Sequence, residues 1–199
     1  MFLTLLAATP ANATALVGPE ASQVVDQAES YLQSLKTAQA KFTQTGNDGR
    51  QATGIFYLSR PGRLRFEYDP PAKDLVVADG LFVYFYDGET GQQSNAPIDQ
   101  TLANFLLRKN IKLRDDVTVT TVGKSSRGLL LITLVQTERP SDGSLTLAFE
   151  ENPWRLRKWR VVDSTRAITE VELTDLQTNI KVPASLFVYK EPGRSHYNN

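Results

Sequence analysis

Two residue types that often carry chemistry are almost missing from this chain. It has no cysteine, which excludes disulfides, thiol nucleophiles and cysteine metal ligands, and its only histidine is His196, close to the C-terminus. A general base has to be held in place, whereas terminal tails are usually mobile. We therefore expect no Ser-His-Asp triad, no catalytic histidine and no metal site.

Phosphate-binding and paired-carboxylate signatures are missing as well. There is no G-x-x-x-x-G-K-[ST] loop, and DGETG at residues 87–91 has the composition of a hairpin turn. The adjacent carboxylates Asp115–Asp116 and Glu150–Glu151 lie beside strand ends, where neighbouring side chains point to opposite faces. We expect no cofactor and no enzymatic activity, although a hydrolase with carboxylates from separate strands remains an alternative.

Neither sign of charge is in excess. The 22 basic residues balance 22 acidic ones, so no overall attraction to nucleic acid or to anionic membranes is expected. The segment WRLRKWRVV at residues 154–162 is locally basic, and we interpret its charges as the solvated outer face of a strand.

The N-terminus has some features of an export signal. Phe2 to Ala8 is a short apolar run, and Ala11-Asn12-Ala13 has the small-x-small form of a signal-peptidase site, but a basic start is missing. We interpret residues 1–13 as the remnant of a secretory signal and residues 14–199 as one domain. A disordered N-terminus that contains Ala-x-Ala by chance is the alternative. The run is too short for a transmembrane helix.

Two segments have helical periodicity. In residues 19–36, apolar side chains recur every three or four positions after Pro19 and Glu20, and this pattern predicts a helix that ends near Lys36. The segment APIDQTLANFLLRKNIKL at residues 96–113 predicts a second helix, with Asp99 as its cap and Leu102, Phe105 and Leu106 on its apolar face.

Strand patterns fill the rest. RLRFEYD alternates, with Leu64, Phe66 and Tyr68 on one face, and Asp79-Gly80 marks a tight hairpin. About ten to twelve strands without intervening helices predict one antiparallel sheet, curled or closed. The other strand segments are AKFTQTG, ATGIFYLSR, KDLVVAD, LFVYFYD, DVTVTTV, RGLLLITLVQT, SLTLAFEE, WRLRKWRVVDS, AITEVELTDLQ and ASLFVYKEP.

Some of these strands are apolar throughout. LLLITLV and LFVYFY are typical of strands covered on both faces. Such a sheet either folds on itself into a packed core or curls around a cavity that a helix covers, and apolar ligands commonly bind in the mouths of curled sheets. The pattern alone leaves both possibilities open.

The order of the segments resembles the LolA family of outer-membrane lipoprotein carrier proteins, from about Tyr31 to Val188. The two most specific matches are [RK]-P-x-x-[LF]-[RN]-[FW] at Arg60 to Phe66 and V-x-D-G-x-x-x-[WY]-F-Y-[ND] at Val77 to Asp87. TAQAKFTQ precedes them, and IDQTLANFLL and WRVVDSTRAITEVELTDLQTN follow in the family's order.

The resemblance implies a mainly β fold, an unclosed antiparallel barrel of about eleven strands whose helices cover an apolar cavity. It implies a periplasmic carrier that takes acylated lipoproteins from an inner-membrane ABC transporter and passes them to an outer-membrane acceptor. We expect a monomer that binds no nucleic acid. A lipid- or lipoprotein-sensing module on the same scaffold is the alternative.

The resemblance also assigns candidate site residues. Arg60 is expected to hold the lid closed and to take part in cargo release. The expected acyl-chain cavity consists of apolar side chains from the first helix, the strands and the second helix, which is expected to act as a lid; ordinary core is the alternative for each. They are Leu32, Leu35, Phe42, Leu64, Phe66, Tyr68, Val77, Val83, Phe85, Leu102, Phe105 and Leu106.

Overall fold

The structure, a computed structural model, describes residues 13–101 and 103–192. Most of the expected signal remnant, as well as Leu102 and His196, lies outside these ranges. The order of elements is β1 Thr14–Ala15, α1 Gly18–Ser34, β2 Thr37–Thr45, β3 Gln51–Ser59, β4 Arg63–Tyr68, β5 Leu75–Asp79, β6 Phe82–Tyr86, β7 Gln93–Pro97, α2 Asn104–Leu107, β8 Val117–Lys124, β9 Leu130–Gln136, β10 Gly143–Glu151, β11 Trp154–Asp163 and β12 Ile168–Thr178.

The strands form a single antiparallel sheet. Its order is β1-β8-β9-β10-β11-β12-β2-β3-β4-β5-β6-β7, so that β1 and β7 are the two edges and the barrel is not closed. The predicted fold, an unclosed antiparallel barrel of about eleven strands, is confirmed.

Helix α1 packs on the concave face of the sheet. Pro19 lies in its first turn, and its buried side chains are Val24, Val25, Ala28 and Leu32, as the periodicity predicts. The helix ends at Ser34, and the Leu35 N–H then bonds to the Tyr31 carbonyl at 3.1 Å. The chain turns directly into β2, so that the end of the helix is fixed beside the start of the sheet.

Two predicted elements differ from the structure. The expected second helix is reduced to a 3₁₀ turn, Ile98–Gln100, and to the four-residue α2; Asp99 lies inside the 3₁₀ turn, and no side-chain cap bond is formed at either N-terminus. ASLFVYKEP, predicted as a strand, forms the 3₁₀ turn Ala184–Phe187 directly after Pro183. A proline has no N–H for a sheet ladder, which favours this outcome.

A β-bulge in β11 separates its charged and apolar side chains. Leu147 pairs with Trp159 and Phe149 with Leu156, so Arg157 is the extra residue. The bulge lets Leu156 and Trp159 of β11 both turn inward. On the convex face Arg157 Nη2 lies 3.2 Å from Glu172 Oε1. The basic residues of this strand therefore pair with glutamates on the outer face, in agreement with their interpretation as solvated.

The chain after β12 covers part of the convex face. Phe187 is 3% exposed and its 3₁₀ turn packs on β4 and β5, while the Tyr189 ring stacks on Tyr84 with centroids 4.8 Å apart. Arg65 Nη1 donates to the Leu186 carbonyl at 3.3 Å. This segment buries Leu75 and Val77, which lie outside the main core cluster.

The covering segment gives a stability prediction. Phe187→Ala removes a buried ring from between the segment and the sheet and should lower the free energy of unfolding by about 3 kcal/mol. Val188→Ala is the matched control, because Val188 is 54% exposed and its truncation should cost less than about 0.5 kcal/mol. Urea unfolding of both variants measures the difference; equal effects would contradict the prediction.

Candidate functional site

The concave face carries an aromatic cluster from β2, β3, β4 and β11. Phe66 contacts Phe56 at a centroid distance of 4.9 Å, Phe42 at 5.0 Å and Trp159 at 6.2 Å. Phe56 also contacts Trp159 at 5.8 Å. The cross-strand pairs Phe56–Phe66 and Phe66–Val76 place these side chains on the same face.

A cavity of about 260 Å³ lies beside this cluster, under residues 98–101 and 103–114, which we call the lid segment. We call it the apolar cavity, since only a few polar side chains contribute to its wall. Its lining residues are Gln44, Phe56, Leu64, Phe66, Tyr68, Val76, Val83, Phe85, Thr101, Ala103, Leu106, Leu145, Trp159, Val161, Thr169 and Val171.

Half of the expected cavity residues lie in this wall. The alternation of β4 places Leu64, Phe66 and Tyr68 there, β6 adds Val83 and Phe85, and α2 adds Leu106. Phe85 is still 42% exposed, so the cavity is open to solvent on the side of β6.

The other expected residues lie elsewhere. Leu32, Leu35 and Phe42 are at most 5% exposed and belong to the packed core. Phe105 lines a second cavity on the other side of the lid segment. Leu102 lies outside the described residues.

The expectation for Val77 is corrected. Its cross-strand partners are Arg65 and Tyr84 on the convex face, whereas its neighbour Val76 pairs with Phe66 and Phe85 and lines the apolar cavity. Val77 is fully buried, but under the segment after β12. Because β5 is apolar on both faces, its sequence does not indicate which set of side chains faces inward.

Several wall residues were not predicted. Phe56, Trp159, Val161 and Val171 are inward-facing on β3, β11 and β12. For Phe56 the sequence did contain a signal. Strand alternation places Phe56 on the same face of β3 as Gly54 and Leu58, as the register shows. The bulge obscures this alternation in β11.

A polar pair lies within the apolar wall. The Tyr68 hydroxyl donates to Gln44 Oε1 at 2.9 Å. Burial, assisted by the negative charge of Asp74, raises the pKa of Tyr68 to about 12. Tyr68 is therefore a neutral hydrogen-bonding group in this wall at physiological pH.

Arg60 joins the lid segment to the end of α1. Its Nη1 donates to the Leu32 carbonyl and, at 3.0 Å, to the Leu35 carbonyl. On the other side, Nη2 donates to the carbonyls of Arg108 at 2.7 Å and Lys109 at 3.3 Å, and Nε donates to Arg108 at 3.2 Å. We call these five hydrogen bonds the latch.

All acceptors in the latch are main-chain carbonyls. Partial burial lowers the pKa of the Arg60 guanidinium from its ordinary value, but arginine remains charged in proteins. Hydrogen bonds from a charged donor are stronger than neutral ones, yet no carboxylate bonds to Arg60 in the described part of the chain. The latch is thus specific in geometry without the strength of an ion pair.

Side chains of α1 hold the rest of the lid segment. Gln33 Oε1 accepts from the Ile111 N–H and Glu29 Oε2 from the Leu113 N–H, both at 2.8 Å. The Asp26 carboxylate pairs with Arg114 at 2.5 Å. The lid segment therefore runs along α1. It also contacts the turn after β3, because the Gly62 N–H donates to the Leu107 carbonyl at 2.8 Å.

Gly62 permits this turn to approach the next hairpin. Its φ is +81°, and a Cβ added there would lie 2.9 Å from the Gly80 Cα. A larger residue would be strained in this conformation and would push the turn, and Arg60 with it, away from the lid.

Within residues 13–101 and 103–192, no three His, Asp or Glu side chains gather closely enough to hold a metal ion. In the same ranges, no helix has both the length and the apolar character needed to cross a membrane.

The chain is similar to known proteins over most of its length. The family model described as outer membrane lipoprotein carrier protein LolA matches residues 33–190. Relatives named outer-membrane lipoprotein carrier protein include one from Chromohalobacter salexigens, 30% identical over 82% of this chain and 80% of the relative, and one from Methylococcus capsulatus, 28% identical over 82% of each. A solved structure of a LolA superfamily protein from Nitrosomonas europaea is 10% identical, with a TM-score of 0.43 over 85% of this chain and 97% of its own.

The raised pKa of Tyr68 predicts a late titration. Tyr68→Phe should remove one tyrosinate absorbance step centred at about pH 12 from the native protein. Because the folded pKa lies above the unfolded value of about 10, the stabilisation from this group is complete below pH ~10 and is lost as the pH rises to ~12. In denaturant, the absorbance step by which the wild type differs from Tyr68→Phe should be centred at about pH 10. A native midpoint near pH 10 would contradict this.

Proposed function

Because the chain belongs to the LolA family of outer membrane lipoprotein carrier proteins, we propose that it is a carrier that binds lipoprotein acyl chains in the apolar cavity. The observation that supports this most directly is the apolar wall under the lid segment, to which β3–β6 and β10–β12 contribute. Binding and release, rather than catalysis, are the functions that this wall supports.

The route of the cargo follows from the family. We propose that the protein acts in the periplasm as a monomer, receives acylated lipoproteins from an inner-membrane ABC transporter and delivers them to an outer-membrane acceptor. An acyl chain exposed to water costs about 0.8 kcal/mol for each methylene. A lipoprotein therefore needs an apolar shelter between the two membranes.

The size of the cavity supports the proposal that the lid moves. At about 260 Å³ it lies below the range of roughly 300–1,000 Å³ that is usual for small-molecule pockets. The long acyl chains of a lipoprotein need more space than this. We propose that the lid segment is closed over the apolar cavity in this structure and separates from the strands when cargo loads.

Arg60 then controls the balance between the closed and open forms. The latch joins α1 to the lid segment only when the lid is closed, so it stabilises the empty form relative to the loaded one. A carrier with a stable closed form releases its cargo more readily, since re-forming the latch offsets part of the lost acyl-chain burial.

Arg60→Leu should therefore bind lipid more tightly. Loss of the latch destabilises the closed form by about 1.4 kcal/mol, which raises the affinity for an open-form ligand about tenfold and slows its release. Binding of a fluorescent lipopeptide and its dissociation rate measure both effects. Arg63→Leu is the matched control, because Arg63 is exposed and three residues away. Weaker binding by Arg60→Leu would show that the latch instead closes over bound cargo.

Release of lipoproteins from membranes tests the proposed function itself. Spheroplasts incubated with the purified protein should release acylated lipoprotein into the medium, bound to the carrier. Native mass spectrometry of the recovered complex should show acylated cargo. If neither the wild type nor Arg60→Leu extracts any lipoprotein, the carrier function is wrong.

A further inference from the structure

Strand β7 is one of the two edges of the sheet, and no strand pairs with its outer side in the part of the chain that the structure describes. Its sequence, QSNAP, carries no charged side chain, and Gln93, Ser94 and Asn95 are exposed. Exposed edges are commonly protected by charged residues or by proline. In β7 only Pro97, at the end of the strand, gives such protection.

The ends of the β6–β7 ladder show which residue pairs exchange hydrogen bonds. The Ile98 N–H donates to the Leu81 carbonyl at 3.0 Å, just beyond one end of the ladder. Just beyond the other end, the Asp87 N–H donates to the Gln92 carbonyl at 2.9 Å. Bonded and non-bonded pairs alternate along an antiparallel ladder, so every second residue of β7 bonds to β6.

This alternation decides which main-chain groups of β7 face outward. Ser94 and Ala96 are in step with the bonded pairs at the two ends, so their N–H and C=O groups point to β6. The N–H and C=O groups of Gln93 and Asn95 point away from β6. Pro97 also faces outward, but it offers only a carbonyl.

The outward groups lie beside the open side of the apolar cavity. Phe85 lines this cavity and is 42% exposed, and its cross-strand partner in β7 is Ser94. Gln93 and Asn95 are the immediate neighbours of Ser94. Because β7 belongs to the sheet and precedes the lid segment, its edge stays beside β6 when the lid segment separates from the strands.

We propose that the edge of β7 binds the cargo polypeptide that follows the acylated residue, as an added strand. This deepens the proposed carrier function and rests on it. Acyl chains held in the apolar cavity leave the residue that carries them at its open side, next to β7. In strand addition the main chain supplies the affinity, so one edge serves cargoes of different sequence.

A second copy of β7 is a poorer partner for this edge. In an antiparallel pair centred on Asn95, each Pro97 lies opposite Gln93 of the other copy. Because proline has no N–H, both Gln93 carbonyls stay unpaired. A cargo peptide without proline donates to the carbonyls of Gln93, Asn95 and Pro97 and accepts from the two outward N–H groups.

Methylation of the main chain of a lipopeptide tests this pairing. The parent probe is a cysteinyl peptide with two palmitoyl chains on its glyceryl group, followed by five residues without proline. One derivative is N-methylated at the second and fourth of these residues, and the other at the third and fifth. Isothermal calorimetry below the concentration at which the peptides aggregate measures the three affinities.

The two methylated derivatives should differ for the wild type. Only alternate N–H groups of an added strand face its neighbour, and the acyl chains in the cavity fix the register. One derivative should therefore bind about tenfold more weakly than the parent, and the other should stay within about twofold of it.

Substitutions of Asn95 connect the effect to β7. Asn95→Pro removes an outward N–H and leaves the bonds to β6, which Ser94 and Ala96 make. Asn95→Ala is the matched control, because it loses the same side chain and keeps the N–H. Asn95→Pro should bind the parent peptide about tenfold more weakly, and Asn95→Ala should bind it like the wild type. Both should bind an acylated cysteine amide, which has no peptide, with the wild-type affinity.

The outcomes separate this inference from the carrier function. Equal affinities of both derivatives for the wild type would overturn the inference and leave the carrier intact, and this comparison needs no variant to fold. Equal binding of the parent peptide by Asn95→Pro and Asn95→Ala would overturn the assignment to β7. A wild-type dimer in sedimentation that Asn95→Pro dissociates would assign the edge to a second copy instead. Failure of the wild type to bind even the acylated cysteine amide would overturn the carrier function together with the inference.

Discussion

The Arg60 side chain bridges the lid segment and the end of α1 with five hydrogen bonds. Neither part forms a sheet or helix with the other, and α2 has only four residues, so the guanidinium of Arg60 replaces the regular hydrogen bonding that is absent there. The turn that carries Arg60 is set by Gly62 against Gly80. The geometry of this β-turn therefore helps to set the position of the lid over the sheet.

The concave face of the sheet is the second constraint. Among the described residues, twelve strands curl without closing, and the buried side chains of α1 join the interior core. The packing between the aromatic cluster and the lid segment leaves a cavity rather than a complete core. On the proposed function, the free edges of the sheet leave room for the interior to enlarge when the lid moves. The small closed volume and the short, weakly helical lid are thus parts of the same design.

Local patterns predicted most of the strands, α1 and the inward face of β4, because alternation in Leu64, Phe66 and Tyr68 needs no knowledge of the rest of the chain. They failed where tertiary contacts decide. Val77 was assigned to the wrong face because the segment after β12 covers the convex side, and the arginine contacts of the lid segment follow from no periodicity. The role of Arg60 came from resemblance, since its acceptors are main-chain groups that leave no mark on the sequence.

That last property affects how the lid can evolve. Leu32, Leu35, Arg108 and Lys109 each offer Arg60 a carbonyl that survives any change of their own side chains. The latch should consequently require the arginine but no particular side chain at its four acceptor positions, although Leu32 and Leu35 are constrained by their packing in the core. Lineages could then vary the lid's surface to suit different cargoes or docking partners without losing the means of shutting it.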